Sequence, residues 1–151
     1  MHSFNTIEDI LMFAIGAEQE AADFYLRLSG QAESTVMKQV FRQYAHEELG
    51  HKTKLMKIRE KGFAEISTEQ IKDMKISDYT VDVVPGPSMS YTEVLALAMK
   101  KEKAAFRLYL DLASKASTEE TSALFNSLAM EEAKHKLRFE LEYDRQIQKG
   151  E

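Results

Sequence analysis

The stretch FRQYAHEELGHK, residues 41–52, decides the fold because it returns 84 residues later as FNSLAMEEAKHK, residues 125–136. Each copy places a glutamate three residues before a histidine: Glu48 and His51 in the first, Glu132 and His135 in the second. One such pair is ordinary on a solvated helix surface. Two copies in the same register indicate an internal repeat in which the pair has a shared role.

The same shift of 84 also aligns residues 6–28 with residues 90–112. Identical residues at 11, 14, 18, 21, 25 and 28 follow a 3-4-3-4-3 spacing, which is typical of the inward-facing stripe of a bundle helix. Capping boxes are predicted at Thr6 with Asp9 and at Ser90 with Glu93, and Ser117 with Glu120 is predicted to open a further helix. The predicted helices are 6–29, 34–61, 90–115 and 118–148.

The fold class follows from composition and from the lengths of the joints. Two prolines, six glycines and no tryptophan in 151 residues favour an all-α fold, and 1–151 is expected to be a single domain. Short turns at 29–33 and around 115–117 make two antiparallel hairpins, whereas 62–89 is too long to join neighbouring helices. We predict a ferritin-like four-helix bundle, two helical hairpins joined by a long crossover.

The crossover at 62–89 carries local signals of its own. We predict a short helix from Thr68 to Met74 capped by Ser67, then the extended stretch VDVV at 81–84 and the breaker PGP at 85–87.

Carboxylates occupy positions where a bundle should be apolar. Glu18 and Glu102 lie at the centres of the inward stripes of the first and third helices, while the second and fourth helices supply the two Glu-x-x-His pairs. In an antiparallel hairpin, two residues are level when their mean falls in the turn. The mean of 18 and 48 is 33 and that of 102 and 132 is 117, so both pairs are level.

Four ionised carboxylates in one core must be neutralised, because each unpaired buried charge costs several kcal/mol. Two divalent cations would balance the four charges, and two neutral imidazoles would complete the coordination. This pattern is found in di-iron and di-manganese bundle proteins. We predict a site for two iron ions (Fe2+/Fe3+), which manganese or zinc also suits, with the metal ligands Glu18, Glu48, His51, Glu102, Glu132 and His135.

Two tyrosines are candidate catalytic residues, since Tyr25 and Tyr109 follow the helix 1 and helix 3 glutamates by seven residues. They are either core aromatics or phenols that hydrogen-bond ligand carboxylates of the opposite hairpin and supply an electron near the metals. Glu47 and Glu131 are expected to be outward charges, because adjacent helical residues differ in direction by about 100°. His46 is expected at the surface.

With these residues in place, the chain resembles the rubrerythrin branch of the ferritin-like superfamily over about residues 6–148, on Glu18, EELGH, Glu102 and EEAKH. The resemblance implies that the six residues are di-iron ligands, with Glu48 and Glu132 as bridges. It also implies reduction of hydrogen peroxide, or oxidation of ferrous iron with dioxygen, in a homodimer. An iron-binding or iron-sequestering protein without turnover is the alternative, and a metal-free helical adaptor is a third reading.

Two departures from the rubrerythrin pattern change these expectations. The chain has no cysteine and hence no rubredoxin module, so a separate electron donor such as a rubredoxin is expected. Ala105 stands where the family pattern has a further glutamate, which makes the predicted site closer to a symmetric one.

Other functions find little support in the composition. The absence of cysteine excludes disulfides, thiolate zinc sites and a cysteine nucleophile. The formal charge is −5 and the basic residues are dispersed, so no nucleic-acid partner is expected. The apolar run ILMFAI, residues 10–15, is too short for a membrane span, and no basic leader precedes it. A cytoplasmic protein without a membrane partner is therefore expected.

Overall fold

The computed structural model describes residues 4–61, 71–81, 83 and 85–149. These residues form four α-helices: α1 (Ile7–Gln31), α2 (Thr35–Lys61), α3 (Tyr91–Lys115) and α4 (Glu119–Gln148). A 3-10 turn, Ile76–Asp78, lies in the described part of the connection between α2 and α3. In this part of the chain no helix combines the length and apolarity that crossing a membrane requires. The all-α prediction is confirmed.

The helix starts largely follow the predicted caps. Both capping boxes are present, with the Thr6 and Ser90 hydroxyls accepting from the backbone N–H three residues on. The start of α4 was predicted one residue early, because the Thr118 hydroxyl rather than that of Ser117 accepts from the Thr121 N–H at 3.2 Å. Neighbouring hydroxyl residues made either cap plausible from sequence. Each helix boundary lies within two residues of its predicted position.

The direction of α3 distinguishes the ferritin-like bundle from a simple up-down-up-down bundle. The main helix contacts are within the hairpins α1–α2 and α3–α4, and α1 also packs on α3. Tyr25, late in α1, reaches Glu102 early in α3, whereas Tyr109, late in α3, reaches Glu18 earlier in α1. Helices α1 and α3 are therefore antiparallel. The connection from α2 to α3 must then run the full length of the bundle. That length is set by the helices, which rise about 1.5 Å per residue.

Described parts of the crossover contact both ends of the bundle. Near its beginning, the Phe4 N–H donates to the Met74 carbonyl at 3.4 Å, and Asp73 pairs with Lys115 at 2.9 Å. Near its end, the Arg27 guanidinium donates to the Gly86 carbonyl at 2.5 Å. These contacts confirm the predicted long crossover.

The shorter predicted features of the crossover are only partly covered by the structure. Of the helix predicted from Thr68 to Met74, residues 68–70 and the cap Ser67 lie outside the described residues. In the described part, Ile71 is helical and the Met74 N–H donates to its carbonyl at 2.9 Å, which closes a tight turn, so the helix ends before the predicted Met74. The stretch predicted as extended, 81–84, likewise includes two positions, 82 and 84, outside the described residues.

The apolar core is divided into two clusters that lie towards opposite ends of the bundle. One includes Leu11, Leu55, Leu112 and Phe125, and the other includes Leu28, Phe41, Leu95 and Phe139. The four inward glutamates and both inward histidines are buried but belong to neither cluster. The polar site therefore lies between two packed apolar layers, which fix the positions of all four helices around it.

Truncation of Phe139 tests the layer next to Tyr25. The Phe139 ring is fully buried, and its centroid lies 5.1 Å from that of Tyr25 and 5.7 Å from that of Phe41. We expect Phe139→Ala to lower the free energy of unfolding by about 3–5 kcal/mol, measured by urea denaturation of the metal-free protein. Leu137→Ala is the control, because Leu137 lies on the same helix and is 57% exposed. Equal losses in the two variants would contradict this description of the core.

Candidate metal centre

All six predicted ligand side chains converge between the apolar layers. One glutamate comes from α1 and one from α3, and a glutamate and a histidine come from each of α2 and α4. Each of the six residues is at most 2% exposed. The predicted convergence is thus present in the structure, while the role of these residues as ligands stays a prediction.

Their ligand atoms form two overlapping groups. In each group, one oxygen or nitrogen from every residue lies within 4.8 Å of those of the others. The first group is Glu18, Glu48, His51 and Glu132, and the second is Glu48, Glu102, Glu132 and His135. Glu48 and Glu132 belong to both groups. Two cations held in these groups would share those two carboxylates, as the predicted bridges require.

Several inward atoms of the cluster have no hydrogen-bond partner. These are Glu18 Oε1, Glu48 Oε1, His51 Nδ1 and both carboxylate oxygens of Glu132. His51 Nδ1 lies 3.1 Å from Glu48 Oε1, but the two atoms are not aligned as a hydrogen bond. Buried polar atoms normally have partners, and an unsatisfied one is costly. Oxygen and imidazole donors suit iron, manganese and zinc, so the residues present fit a metal.

The electrostatics of the cluster point the same way. Burial raises the pKa of the Glu132 carboxyl, and the nearby carboxylates of Glu102 and Glu18 raise it further. Burial and the same two carboxylates raise the pKa of Glu48. Without a cation, these carboxyls therefore retain protons above their usual range. A metal ion must displace those protons to bind.

Burial and the neighbouring carboxylates shift the pKa values of the two imidazoles in opposite directions. Burial lowers the pKa of His135, but its hydrogen bond to Glu102 and the nearby carboxylate of Glu132 outweigh it and raise the pKa to about 10. Burial also lowers the pKa of His51, and the nearby carboxylates of Glu132, Glu18 and Glu48 again outweigh it, so the net shift is upward. Both imidazoles are therefore protonated and positively charged in the metal-free cluster. Their charge takes the place of the positive charge that a metal would bring.

The two tyrosines hydrogen-bond across the hairpins, as the functional reading of them predicted. Tyr25 donates to Glu102 Oε2 at 2.5 Å, and Tyr109 donates to Glu18 Oε2. Burial, and then the neighbouring carboxylates, raise the pKa of both phenols well above the usual value. They therefore remain protonated donors that fix the orientation of one carboxylate each. Their participation in catalysis stays a prediction.

Glu47 and Glu131 were wrongly predicted to be outward charges. His51 Nε2 is hydrogen-bonded to Glu131 Oε1 at 2.8 Å, and His135 Nε2 to Glu47 Oε1 at 2.7 Å. The 100° turn does point each carboxylate away from its own helix's ligand direction, but it points towards the histidine of the antiparallel neighbour. The repeat contained a signal for this role, because both glutamates match at the shift of 84. His46 is exposed, as predicted.

These outer carboxylates determine which ring atom faces the cluster. A histidine that donates Nε2–H to a carboxylate presents Nδ1 on its other side, and His135 Nδ1 lies 3.0 Å from Glu102 Oε2. Such carboxylate partners hold a metal-binding ring in one tautomer and one orientation. Glu47 and Glu131 are therefore positioning residues for the two imidazoles.

A cavity of about 360 Å³ opens between α1 and α3 and reaches the cluster. Its lining includes the four inward glutamates, both buried tyrosines, and Ala105. The position that differs from the rubrerythrin pattern therefore adds open space to the cavity and no ligand.

The fold and the site together define a ferritin-like four-helix bundle with a buried carboxylate–histidine cluster that could hold metal. A family profile described as Rubrerythrin matches residues 9–143. The chain belongs to the rubrerythrin family. No curated protein and no solved structure gives a significant match to the sequence.

The raised pKa values predict how the stability of the metal-free protein depends on pH. For Glu48 and Glu132, with an ordinary pKa of 4.5, the folded state binds more protons than the unfolded chain once the pH exceeds that value. For His135, the stabilisation is complete below 6.5 and is lost as the pH rises through about 10. Both effects have the same sign, so stability falls as pH rises.

We therefore expect the melting temperature of the metal-free protein to fall by several degrees from about pH 5 to about pH 9. Saturating zinc or manganese should abolish this fall, because the metal replaces the lost protons. The double variant Glu48→Gln/Glu132→Gln should show a shallower dependence. An unchanged slope in that variant would contradict the assignment of the effect to the cluster.

The positioning role of the outer carboxylates is tested by Glu131→Gln and Glu47→Gln. Each should lower the affinity for cobalt(II) by about 10- to 100-fold, because a carboxylate partner of a ligand histidine is lost. The measurement is competition against a chromophoric chelator, with the cobalt d–d spectrum as a second readout. Glu60→Gln, at an exposed position of α2, is the control and should leave affinity unchanged. Equal affinities for all three variants would mean that the hydrogen bonds do not position the rings.

Proposed function

We propose that the protein is a non-haem di-iron oxidoreductase that reduces hydrogen peroxide, with oxidation of ferrous iron by dioxygen as a close variant. The observation that carries the proposal is the pair of ligand groups sharing Glu48 and Glu132, at the base of a cavity open between α1 and α3. Two bound ferrous ions would supply the two electrons that, with two protons, convert one hydrogen peroxide into two waters.

The residues divide between two metal positions. Glu18 and His51 would hold one ion and Glu102 and His135 the other, and the carboxylates common to both groups would bridge them. The bridging pair has the pKa values raised by burial, so these carboxyls release protons on metal binding. The four negative charges then offset two divalent cations.

The phenols contribute from the cavity side. Tyr25 and Tyr109 line the cavity and each donates to a carboxylate that belongs to one metal group. They hold Glu102 and Glu18 in place and are close enough to the cavity to pass a proton or an electron to an oxidant bound there. They would act from outside the coordination sphere.

Turnover needs a source of electrons. These 151 residues contain no cysteine to hold an iron–sulfur reductant. We propose that electrons come from a donor outside them, of which a rubredoxin is one example.

Anaerobic loading with ferrous iron tests the proposal. We expect two irons per chain, oxidation of both by one equivalent of hydrogen peroxide, and repeated turnover when a reductase system is supplied. Glu132→Ala should lose iron binding and turnover yet retain the helical circular dichroism spectrum, because it removes a bridge and a buried carboxyl together. Glu60→Ala, at an exposed position, is the control and should behave as wild type.

The same assays separate the alternatives. Two bound irons that peroxide does not oxidise would refute the peroxidase, and iron that is oxidised once without returning to the ferrous state would indicate sequestration. Failure to bind any metal would refute the whole proposal. Tyr25→Phe and Tyr109→Phe should retain two irons per chain and react roughly tenfold more slowly or worse, if the phenols assist from outside the coordination sphere.

A further inference from the structure

The cavity above the cluster is larger than hydrogen peroxide needs. Its volume is about 360 Å³, whereas a water-sized group occupies about 30 Å³, so a peroxide of two oxygens fills only a small part. Volumes of this size are at the low end of small-molecule binding sites, which span roughly 300–1,000 Å³. The surplus space therefore requires an explanation in terms of substrate.

The walls of the cavity are apolar and built from small residues. Above the carboxylate floor they include Gly16, Ala17, Ala21, Ala104 and Ala105. Apolar side chains of α1 and α3, together with crossover residues 79–81, line the rest. Lys101 and Glu20 also line the cavity, but their charged groups lie 3.8 Å apart and offset each other. The surplus space thus suits an uncharged apolar group.

We propose that the substrates include organic hydroperoxides bearing a compact apolar substituent, of up to roughly twelve non-hydrogen atoms in all. The O–O group lies at the carboxylate floor and the hydrocarbon against the small-residue walls. This inference rests on the proposed function. When bound, two ferrous ions would each supply one electron and become ferric; the O–O bond would break, and two protons would complete an alcohol and a water.

Gly16 is an exposed residue of the cavity lining, so a side chain there would narrow the cavity without disturbing the fold. It lies within α1 and lines the cavity, and no heavy atom lies within 4 Å of a Cβ built there. A larger residue at a helical glycine also favours the helix. Gly30 is a matched control, because it is in the same helix, has equally open space at its Cβ, and is not among the lining residues.

The first measurement needs no metal. Cumyl alcohol, the product expected from cumene hydroperoxide, is titrated into metal-free protein and followed by methyl and aromatic NMR shifts. We expect saturable binding with shifts centred on the cavity residues. Binding should weaken progressively in Gly16→Ala and Gly16→Leu and persist in Gly30→Leu.

The second measurement compares kcat/KM for cumene hydroperoxide and hydrogen peroxide in the iron-loaded protein. Gly16→Leu should lower the ratio of the organic to the inorganic value by roughly tenfold or more, since added side-chain bulk excludes the substituent. Gly30→Leu should leave the ratio within about twofold of wild type.

Each outcome bears on a different claim. Normal hydrogen peroxide turnover, without alcohol binding or cumene hydroperoxide turnover, would overturn this inference and leave the proposed function standing. Alcohol binding equally strong in Gly16→Leu and wild type would overturn the assignment to this cavity. Alcohol binding without turnover of either peroxide would overturn the proposed function and with it the substrate assignment.

Discussion

The burial of four carboxylates and two imidazoles at mid-height of the bundle is the constraint on which the rest of the structure depends. Such a cluster cannot remain fully ionised without compensation, because removing charges from water costs far more than the fold as a whole gains. Protons compensate in the metal-free state, as the raised pKa values of Glu48, Glu132 and the histidines show. Five inward atoms still lack partners, and a cation bound there would provide the interactions that protons and hydrogen bonds do not.

Four of the hydrogen bonds that orient the cluster cross between the two hairpins. Each buried tyrosine donates to the glutamate of the other hairpin, and each histidine is bonded to the outer carboxylate of the other Glu-x-x-His helix. These hydrogen bonds follow the symmetry of the internal repeat, but the residues packed around the two histidines do not. The Tyr44 ring stacks on His135 with centroids 3.9 Å apart, while the residue 84 positions later is Leu128. The two groups of potential ligands therefore contain the same residue types and differ in their surroundings.

Sequence alone predicted the elements that depend on periodicity within one helix. The repeat and the level heights placed Glu18 with Glu48 and Glu102 with Glu132, and the structure brings them together because the turns at 32–34 and 116–118 are short. The role of Glu47 and Glu131 was missed because a single-helix projection assigns them to solvent. The histidines that they contact lie on the neighbouring antiparallel helix, and the distance between the two helices depends on how the bundle packs. The cavity could likewise not be predicted from the sequence, because alanines can either allow two helices to pack closely or leave a space between them.

The cavity reaches the cluster from the side of its carboxylates. Both shared carboxylates line it, as do Glu18 and Glu102, but neither histidine is among the described residues that do. The imidazoles approach from α2 and α4, held from behind by Glu47 and Glu131, whereas the opening lies between α1 and α3. A small molecule that enters the cavity therefore meets the carboxylate side of the cluster, with the phenols of Tyr25 and Tyr109 beside it. Because all four inward glutamates line the cavity, the opening reaches both ligand groups. In the proposed function, an O–O group bound there would therefore face both metal positions.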